Sequence, residues 1–138
     1  MQPVEPWRWR DGRPSCSVHA SVPAVVVVTA LATLLAEAGL RVEGRVEGVV
    51  ARPRFAGVRN ALAWCTPIDF LTVPTVVVEV RSDAAPTSEV GVRVLGDSVS
   101  KVRPQVVRAL NAMVHQLRAQ GVTVTVDPWR PWSRFRRN

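Results

Sequence analysis

The sequence predicts an α+β fold, a four-stranded and mostly antiparallel sheet with two or three helices on one face. Short stretches alternate between apolar and polar residues, which is the period of a half-buried strand. Two longer stretches have the apolar spacing or the glycine stop that is typical of helices. The length of 138 residues suits one domain with a single hydrophobic core.

The predicted domain organisation has a folded centre between two irregular ends. Residues 1–20 are rich in proline and are predicted to form an irregular N-terminal arm. Residues 21–126 are predicted to form the single α+β domain. Residues 127–138, which are rich in arginine and aromatic residues, are predicted to form a basic C-terminal tail.

The first helix is predicted over residues 22–36. Ser21 is a candidate N-cap, and Pro23 lies in the first turn, where the missing N–H does no harm. Gly39 is a natural helix end. The β-branched run Val25–Val28 favours a strand instead, but the length of the apolar stretch and its alanine- and leucine-rich end favour the helix.

Four segments are predicted to be strands. Leu40–Val50 alternates between apolar and charged residues, with the charges on a solvated face. Pro74–Arg81 is almost continuously apolar, which indicates a central position in the sheet. Glu89–Leu95 and Val122–Val126 are the other two strands, and Phe55–Trp64 is a possible short helix.

The clearest helical pattern follows residue 100. An interior proline is unfavourable in a helix, so Pro104 places the start near Ser100, with Ser98 or Ser100 as the cap. Gly121 ends the helix. Without the first helix, the element order is β-α-β-β-α-β, the ferredoxin-like order. The apolar stripe is Val102, Val106, Leu110, Met113 and Leu117.

The chain is strongly basic, with a net charge of +7 and a pI near 11.3. Such a charge favours phosphate groups, acidic partners or anionic lipid. All basic residues but Lys101 are arginines, and alanine and valine are abundant. A GC-rich coding bias therefore explains part of the charge.

No motif indicates catalysis, a metal site or a cofactor. Cys16 and Cys65 are too far apart in sequence for a zinc motif or a disulfide framework, and two buried thiols fit better than one disulfide. His19 follows Cys16 at a ligand-like spacing, but without further ligands both are interpreted as loop residues. His115 is predicted to be solvated. We therefore predict that the protein is not an enzyme and needs no cofactor.

One segment has the layout of a secretory leader. Arg8, Arg10 and Arg13 precede the apolar run Val22–Ala36, as in a signal peptide. Acidic residues dilute the basic region, and Pro23 begins the run. The run is also shorter than the about 20 residues that a bilayer span needs, so we predict a core helix and no membrane association.

The two ends of the chain combine tryptophan with arginine. Four of the five tryptophans lie there. An exposed tryptophan is unfavourable in water, so we expect these ends to dock on the protein's own core, a neighbouring subunit, a membrane surface or a nucleic acid. The candidate docking residues are Trp7, Arg8, Trp9, Arg10, Trp129, Arg130, Trp132, Arg134, Phe135, Arg136 and Arg137.

Three segments carry a resemblance to a known family. They are Val73–Val80, Val90–Ser98 and Val106–Leu110. In their order they resemble the tail-terminator (tail-completion) proteins of long-tailed bacteriophages, over roughly residues 22–126. The resemblance implies a ring that ends the tail tube and joins it to the head-side connector, and a location in the virion, in the tail or neck. If the resemblance does not hold, we expect the protein in the cytoplasm.

Two functions from different classes therefore follow from the sequence. The first is a non-enzymatic structural subunit, a homo-oligomeric ring that contacts other structural proteins through its ends. The second is a small nucleic-acid-binding module, because arginine beside aromatic residues pairs phosphate contact with base stacking. RNA-recognition sheets carry aromatics on their central strands, whereas these strands carry valine, so the first function is favoured.

Overall fold

A computed structural model describes residues 4–7, 14–45, 47–53, 74–84, 86–95 and 102–131. Within these ranges the chain forms seven strands and two helices. In chain order they are β1 (Pro14–Ala20), α1 (Ala24–Glu37), β2 (Leu40–Arg45), β3 (Gly48–Pro53), β4 (Thr75–Ser82), β5 (Ser88–Leu95), α2 (Arg103–Ala119), β6 (Val124–Val126) and β7 (Arg130–Pro131).

The strands form one antiparallel sheet in the order β2-β3-β4-β5-β1-β6, and β7 also pairs with β1. The predicted α+β class and antiparallel sheet are confirmed. The predicted number of strands is wrong, because the sheet has seven strands and not four. The additional strands are β1, one half of a hairpin, and β7.

The strand β1 corrects the expectation that residues 1–20 are irregular. Pro14–Ala20 lies between β5 and β6, near the centre of the sheet. Cys16, Val18 and Ala20 face the core, and the intervening residues face the other way. The period of two is present, but cysteine, serine and alanine are weak indicators of a strand.

The predicted strand Leu40–Val50 is a hairpin. The register pairs Leu40 with Pro53 and Arg45 with Gly48, so the chain reverses between Arg45 and Gly48. Gly48 then passes very close to β4, since a Cβ at this position would collide with the carbonyl oxygen of Val78. The apolar–polar alternation continues through the turn, which is why it resembles one long strand.

Helix α1 confirms that Val25–Val28 is helical. The predicted cap at Ser21 is wrong, because the Ser21 hydroxyl accepts a hydrogen bond from the backbone N–H of Thr123 at 3.0 Å. The helix N-terminus is instead capped from a distance: the Ala24 N–H donates to Asp83 Oδ1 at 2.9 Å. Gly39 ends the helix with a φ of 97°, as expected.

Helix α2 is confirmed, with Pro104 in its first turn. Its N-cap is Val102, which makes no side-chain cap hydrogen bond; the predicted caps Ser98 and Ser100 lie outside the described residues. Gly121 has a φ of 83° and follows the end of the helix. The possible helix Phe55–Trp64 also lies outside the described residues.

Both helices cover the same face of the sheet. They pack on each other and on the strands through buried valine, leucine and methionine side chains. Strands β1, β4, β5 and β6 with the two helices follow the β-α-β-β-α-β order, and the β2–β3 hairpin is inserted after α1 and extends the sheet beyond β4. The predicted version of this order, which left out the first helix and began with residues 40–50, is wrong. Neither of the two described helices has the length and apolar character needed to cross a bilayer.

Candidate functional site

The candidate site lies where the two ends of the chain meet. Trp7 is 1% exposed, and its ring centroid is 4.7 Å from that of Trp129, with an interplanar angle of 67°. This edge-to-face arrangement is one that aromatic pairs prefer. The guanidinium carbon of Arg103 lies 5.5 Å from the centroid of the Trp7 ring, within the range of a cation–π contact.

The N-terminal arm is fixed to α2 by hydrogen bonds as well. The Val4 N–H donates to Asn111 Oδ1 at 2.6 Å, and Asn111 Nδ2 donates back to the Val4 carbonyl at 3.4 Å. Since Val4 lies beside Asn111 and Trp7 beside Arg103, the arm runs antiparallel to the helix. Residues 4–7 therefore belong to the folded body of the protein.

The C-terminal segment pairs with β1 twice, first through β6 and then through β7. Strand β6 pairs with Val18–Ala20, and the Asp127 N–H donates to the Ser17 carbonyl at 2.9 Å. After Pro128 and Trp129, β7 resumes the pairing with Arg130 opposite Ser15. The interruption is where Trp129 contacts Trp7.

Two polar atoms at the Trp7–Trp129 contact have no partner among the described residues. Nε1 of Trp7 and Nε1 of Trp129 are buried, and no described residue supplies an acceptor for either. A buried, unpaired donor is unfavourable by about 1–3 kcal/mol. The indoles thus stabilise the structure through apolar area and aromatic contact, and not through their N–H groups.

The predicted docking residues fall into two groups. The structure places Trp7 and Trp129 in contact, and it places Arg130 on an exposed edge strand. Whether these residues bind a partner stays a prediction. The remaining residues, Arg8, Trp9, Arg10, Trp132, Arg134, Phe135, Arg136 and Arg137, lie outside the described residues.

The two arginine-rich segments join the sheet at adjacent positions. Pro14 and Pro131 are register partners, so residues 8–13 precede, and residues 132–138 follow, the same point of the sheet. Residues 8–13 and 130–138 hold seven arginines and one aspartate, a net +6 of the chain's +7. The excess charge of the protein is therefore attached at one end of β1.

Sequence reasoning missed a polar network on the sheet face opposite the helices. Arg81 of β4 reaches across β5 to β1, where Nη1 donates to Ser17 Oγ at 2.8 Å and Nη2 to Ser15 Oγ at 3.2 Å. Its path crosses Gly91, where a Cβ would overlap Arg81 Nε. In the sequence, the only indication that a side chain passes over β5 here is the glycine at position 91, between two valines.

Two further charged groups flank this network. Arg93 Nε lies 3.1 Å from Glu79 Oε1, and Arg93 Nη2 donates to Glu79 Oε2 at 3.2 Å. His19 Nε2 lies 3.0 Å from Asp127 Oδ2, and His19 Nδ1 lies 3.7 Å from Glu89 Oε1. His19 thus lies on a strand, and not in a loop as predicted.

The Cys16–His19 pair does not form a ligand set. Cys16 faces the core and His19 the opposite face, because three residues along a strand reverse the side. Within the described ranges, no three metal-binding side chains come together. Burial raises the pKa of the Cys16 thiol to about 12, with the Arg81 charge lowering it and the Asp127 charge raising it to lesser extents. Cys65 lies outside the described residues.

No protein-family model matches the chain, and no curated protein matches it.

Proposed function

We propose that the protein is a non-enzymatic structural subunit of a homo-oligomeric assembly, in which the two chain ends contact neighbouring copies and other structural proteins. The observation that carries this proposal is the contact between Trp7 and Trp129. It anchors the starts of both arginine-rich segments on one side of the folded domain. Because the attachment points of these segments are fixed, the segments can contact only a neighbour that lies near this side of the domain.

The charge distribution supports a docking role for the ends. Outside residues 8–13 and 130–138, the chain has eleven basic and ten acidic side chains, so the rest of the chain is almost neutral. Arginine and tryptophan are the residues most enriched where binding energy concentrates in protein interfaces. Seven arginines and two tryptophans in these segments therefore favour interfaces at the ends.

The specific assembly that we propose is a ring of the tail-terminator type, joining a phage tail tube to the head-side connector. It rests on the resemblance of Val73–Val80, Val90–Ser98 and Val106–Leu110 to that family. In the structure these segments correspond to β4, β5 and α2, apart from their residues outside the described ranges. A heterologous contact that repeats by rotation closes into a ring, and ends that reach forward to the next copy suit such a contact.

The mass of the purified protein in solution tests the proposal. Light scattering coupled to gel filtration, at tens of micromolar protein, is expected to show a discrete oligomer. Electron microscopy of the same fraction is expected to show rings. A protein that stays monomeric across this concentration range, in low and in physiological salt, contradicts the proposed function.

The second candidate is a small nucleic-acid-binding module. The observation that favours it is the net charge of +6 in the two segments that start from adjacent points of the sheet. Binding through phosphates predicts an affinity that falls steeply with salt. A monomer that binds DNA or RNA in this way would replace the first proposal.

A further inference from the structure

We propose that the open face of the sheet around Ser15 binds a phosphate group. The site is formed by the exposed Arg81 guanidinium, which the buried hydroxyls of Ser15 and Ser17 hold in place, with Arg130 beside it. This site is on the described sheet. It does not depend on the proposed assembly, and of residues 130–138 it uses only Arg130.

One arginine contacts Ser15, and two others are its register partners. Arg81 donates to its hydroxyl, and Arg93 and Arg130 are its register partners on the strands to either side. Register partners in an antiparallel sheet project from the same face. Ser15 therefore lies between two arginines and under a third.

Arg81 is available for an anion because the neighbouring carboxylates have other partners. Glu79 pairs with Arg93, Glu89 and Asp127 flank His19, and Asp83 caps α1. Across the described ranges Arg81 forms no ion pair, and its hydrogen-bond partners are two hydroxyl oxygens. A guanidinium has five N–H donors, so three of them remain for a ligand.

The guanidinium is held in place before a ligand arrives. Ser15 and Ser17 are 8% and 9% exposed, and each accepts from Arg81 while keeping its own proton to donate. Gly91 leaves the space in which the side chain lies. A planar, fixed set of donors matches the oxygens of a phosphate better than a flexible ammonium does.

The acidic side chains limit where the phosphate can lie. Glu89 is the register partner of His19, and Asp127, whose backbone N–H donates to the Ser17 carbonyl, extends its carboxylate to His19. Both carboxylates repel an anion on the Ser17–His19 side of the face. At the Ser15 end, Arg93 neutralises Glu79, and Arg130 forms no ion pair with any side chain that the structure describes. The positive potential is therefore confined to the Ser15 end of the face.

Titration of the ¹⁵N-labelled full chain with inorganic phosphate tests the site. The arginine Nε–Hε resonance of Arg81, assigned by its loss in Arg81→Gln, is expected to shift at millimolar phosphate. Gly91→Ala retains the arginine but displaces its side chain, and it is expected to abolish the shift. Arg41→Gln removes the same charge from the β2 end of the same face and is expected to leave the shift unchanged.

A short DNA duplex distinguishes a nucleic-acid phosphate from a free one. The affinity is expected to fall about tenfold in Arg81→Gln, the effect of one charge-assisted contact, and by much less in Arg41→Gln. If the Arg81 resonance shifts with inorganic phosphate but Arg81→Gln binds DNA as the wild type does, the site binds a free phosphate. If Arg81→Gln weakens DNA binding but inorganic phosphate causes no shift, Arg81 contacts the phosphates of the DNA backbone.

The alternative is that Arg81 has only a structural role, in which its hydrogen bonds to Ser15 and Ser17 link β4 to β1. If Arg81→Gln lowers the midpoint of thermal unfolding while neither inorganic phosphate nor DNA distinguishes it from Arg41→Gln, the proposal is overturned. Should Arg81→Gln fail to fold, Gly91→Ala and Arg81→Lys carry the same comparison, because both keep the positive charge. Equal binding by these variants and the wild type would also overturn the site.

Discussion

Trp7 and Trp129, which lie near the two chain ends, pack against each other within the same protein. Each buries a large indole against the other, and Arg103 lies over Trp7. In the proposed assembly, contacts with a partner would therefore come from the residues beyond this contact, 8–13 and 130–138. The two tryptophans act as anchors for those segments.

We expect Trp7→Ala to lower the free energy of unfolding by about 3–5 kcal/mol, because it removes a buried aromatic side chain and leaves a cavity. Trp7→Phe keeps an aromatic edge and removes the unpaired N–H, so its loss should be smaller. Val25→Ala, at a valine that is 65% exposed, should change stability by less than about 0.5 kcal/mol. Urea unfolding measures all three. Equal losses in Trp7→Ala and Val25→Ala would show that Trp7 is not an anchor.

Cys16 makes stability depend on pH in the alkaline range. Burial raises its pKa from 9.0 to about 12 in the folded protein, so the unfolded chain loses this proton first. Stability should be constant with respect to this group below pH 9.0 and fall between pH 9.0 and about 12, by up to about 1.4 kcal/mol for each pH unit. The chain has no tyrosine, so few other groups titrate there.

Urea unfolding of the wild type and of Cys16→Ala across this pH range isolates the thiol. The wild type should lose stability more steeply than the variant. In a Cys65→Ser background, Cys16 should also resist alkylation at neutral pH until the protein is unfolded, since the thiolate is the reactive form. If the free energy of unfolding depends on pH in the same way for both proteins, the pKa of Cys16 is not raised by burial in the folded protein.

At the scale of elements, the β2–β3 hairpin depends on one close approach. Gly48 lies against the backbone of β4, where a Cβ would meet the Val78 carbonyl oxygen, whereas a Cβ at Gly44 would have no neighbour within 4 Å. Gly48→Ala should therefore destabilise the protein by about 1–3 kcal/mol through the steric clash. Gly44→Ala should be neutral or stabilising by up to about 1 kcal/mol. Thermal unfolding measures both variants. Equal unfolding midpoints for Gly48→Ala and Gly44→Ala would contradict the close packing of β3 on β4.

The sequence predicted those elements whose pattern is local. Helix α2 has a clear apolar stripe, and β4 and β5 are valine-rich, so their positions follow from periodicity alone. Strand β1 was missed because its outward residues are serines and a histidine, and its inward residues include cysteine and alanine. The hairpin was missed because the alternation of β2 continues into β3.

The polar network had almost no local signal. Arg81 meets Ser17 and Ser15 at separations of 64 and 66 residues along the chain, and the pairing of β1 with β5 that brings them together is itself long-range. Position 91, a glycine between two valines, is consistent with a crossing side chain but also with a bulge. The candidate docking residues, by contrast, are predicted from composition, which does not indicate the contact of Trp7 with Trp129.

At the scale of the whole molecule, charge and fold are separated. Outside residues 8–13 and 130–138 the chain is almost neutral, and the excess positive charge lies in these two segments, which are attached at one end of β1. A nearly neutral body with basic ends favours contacts that begin at the ends. Such contacts should weaken as salt screens the charges.

The central claim is that the chain ends form the interface between copies. Sedimentation equilibrium of two charge-matched triple variants tests it most directly. One variant replaces Arg134, Arg136 and Arg137 with glutamine, and the other replaces Arg41, Arg45 and Arg108, so both lose the same charge. The tail variant should dissociate toward the monomer while the domain variant keeps the wild-type mass. The same mass for both variants would contradict the account.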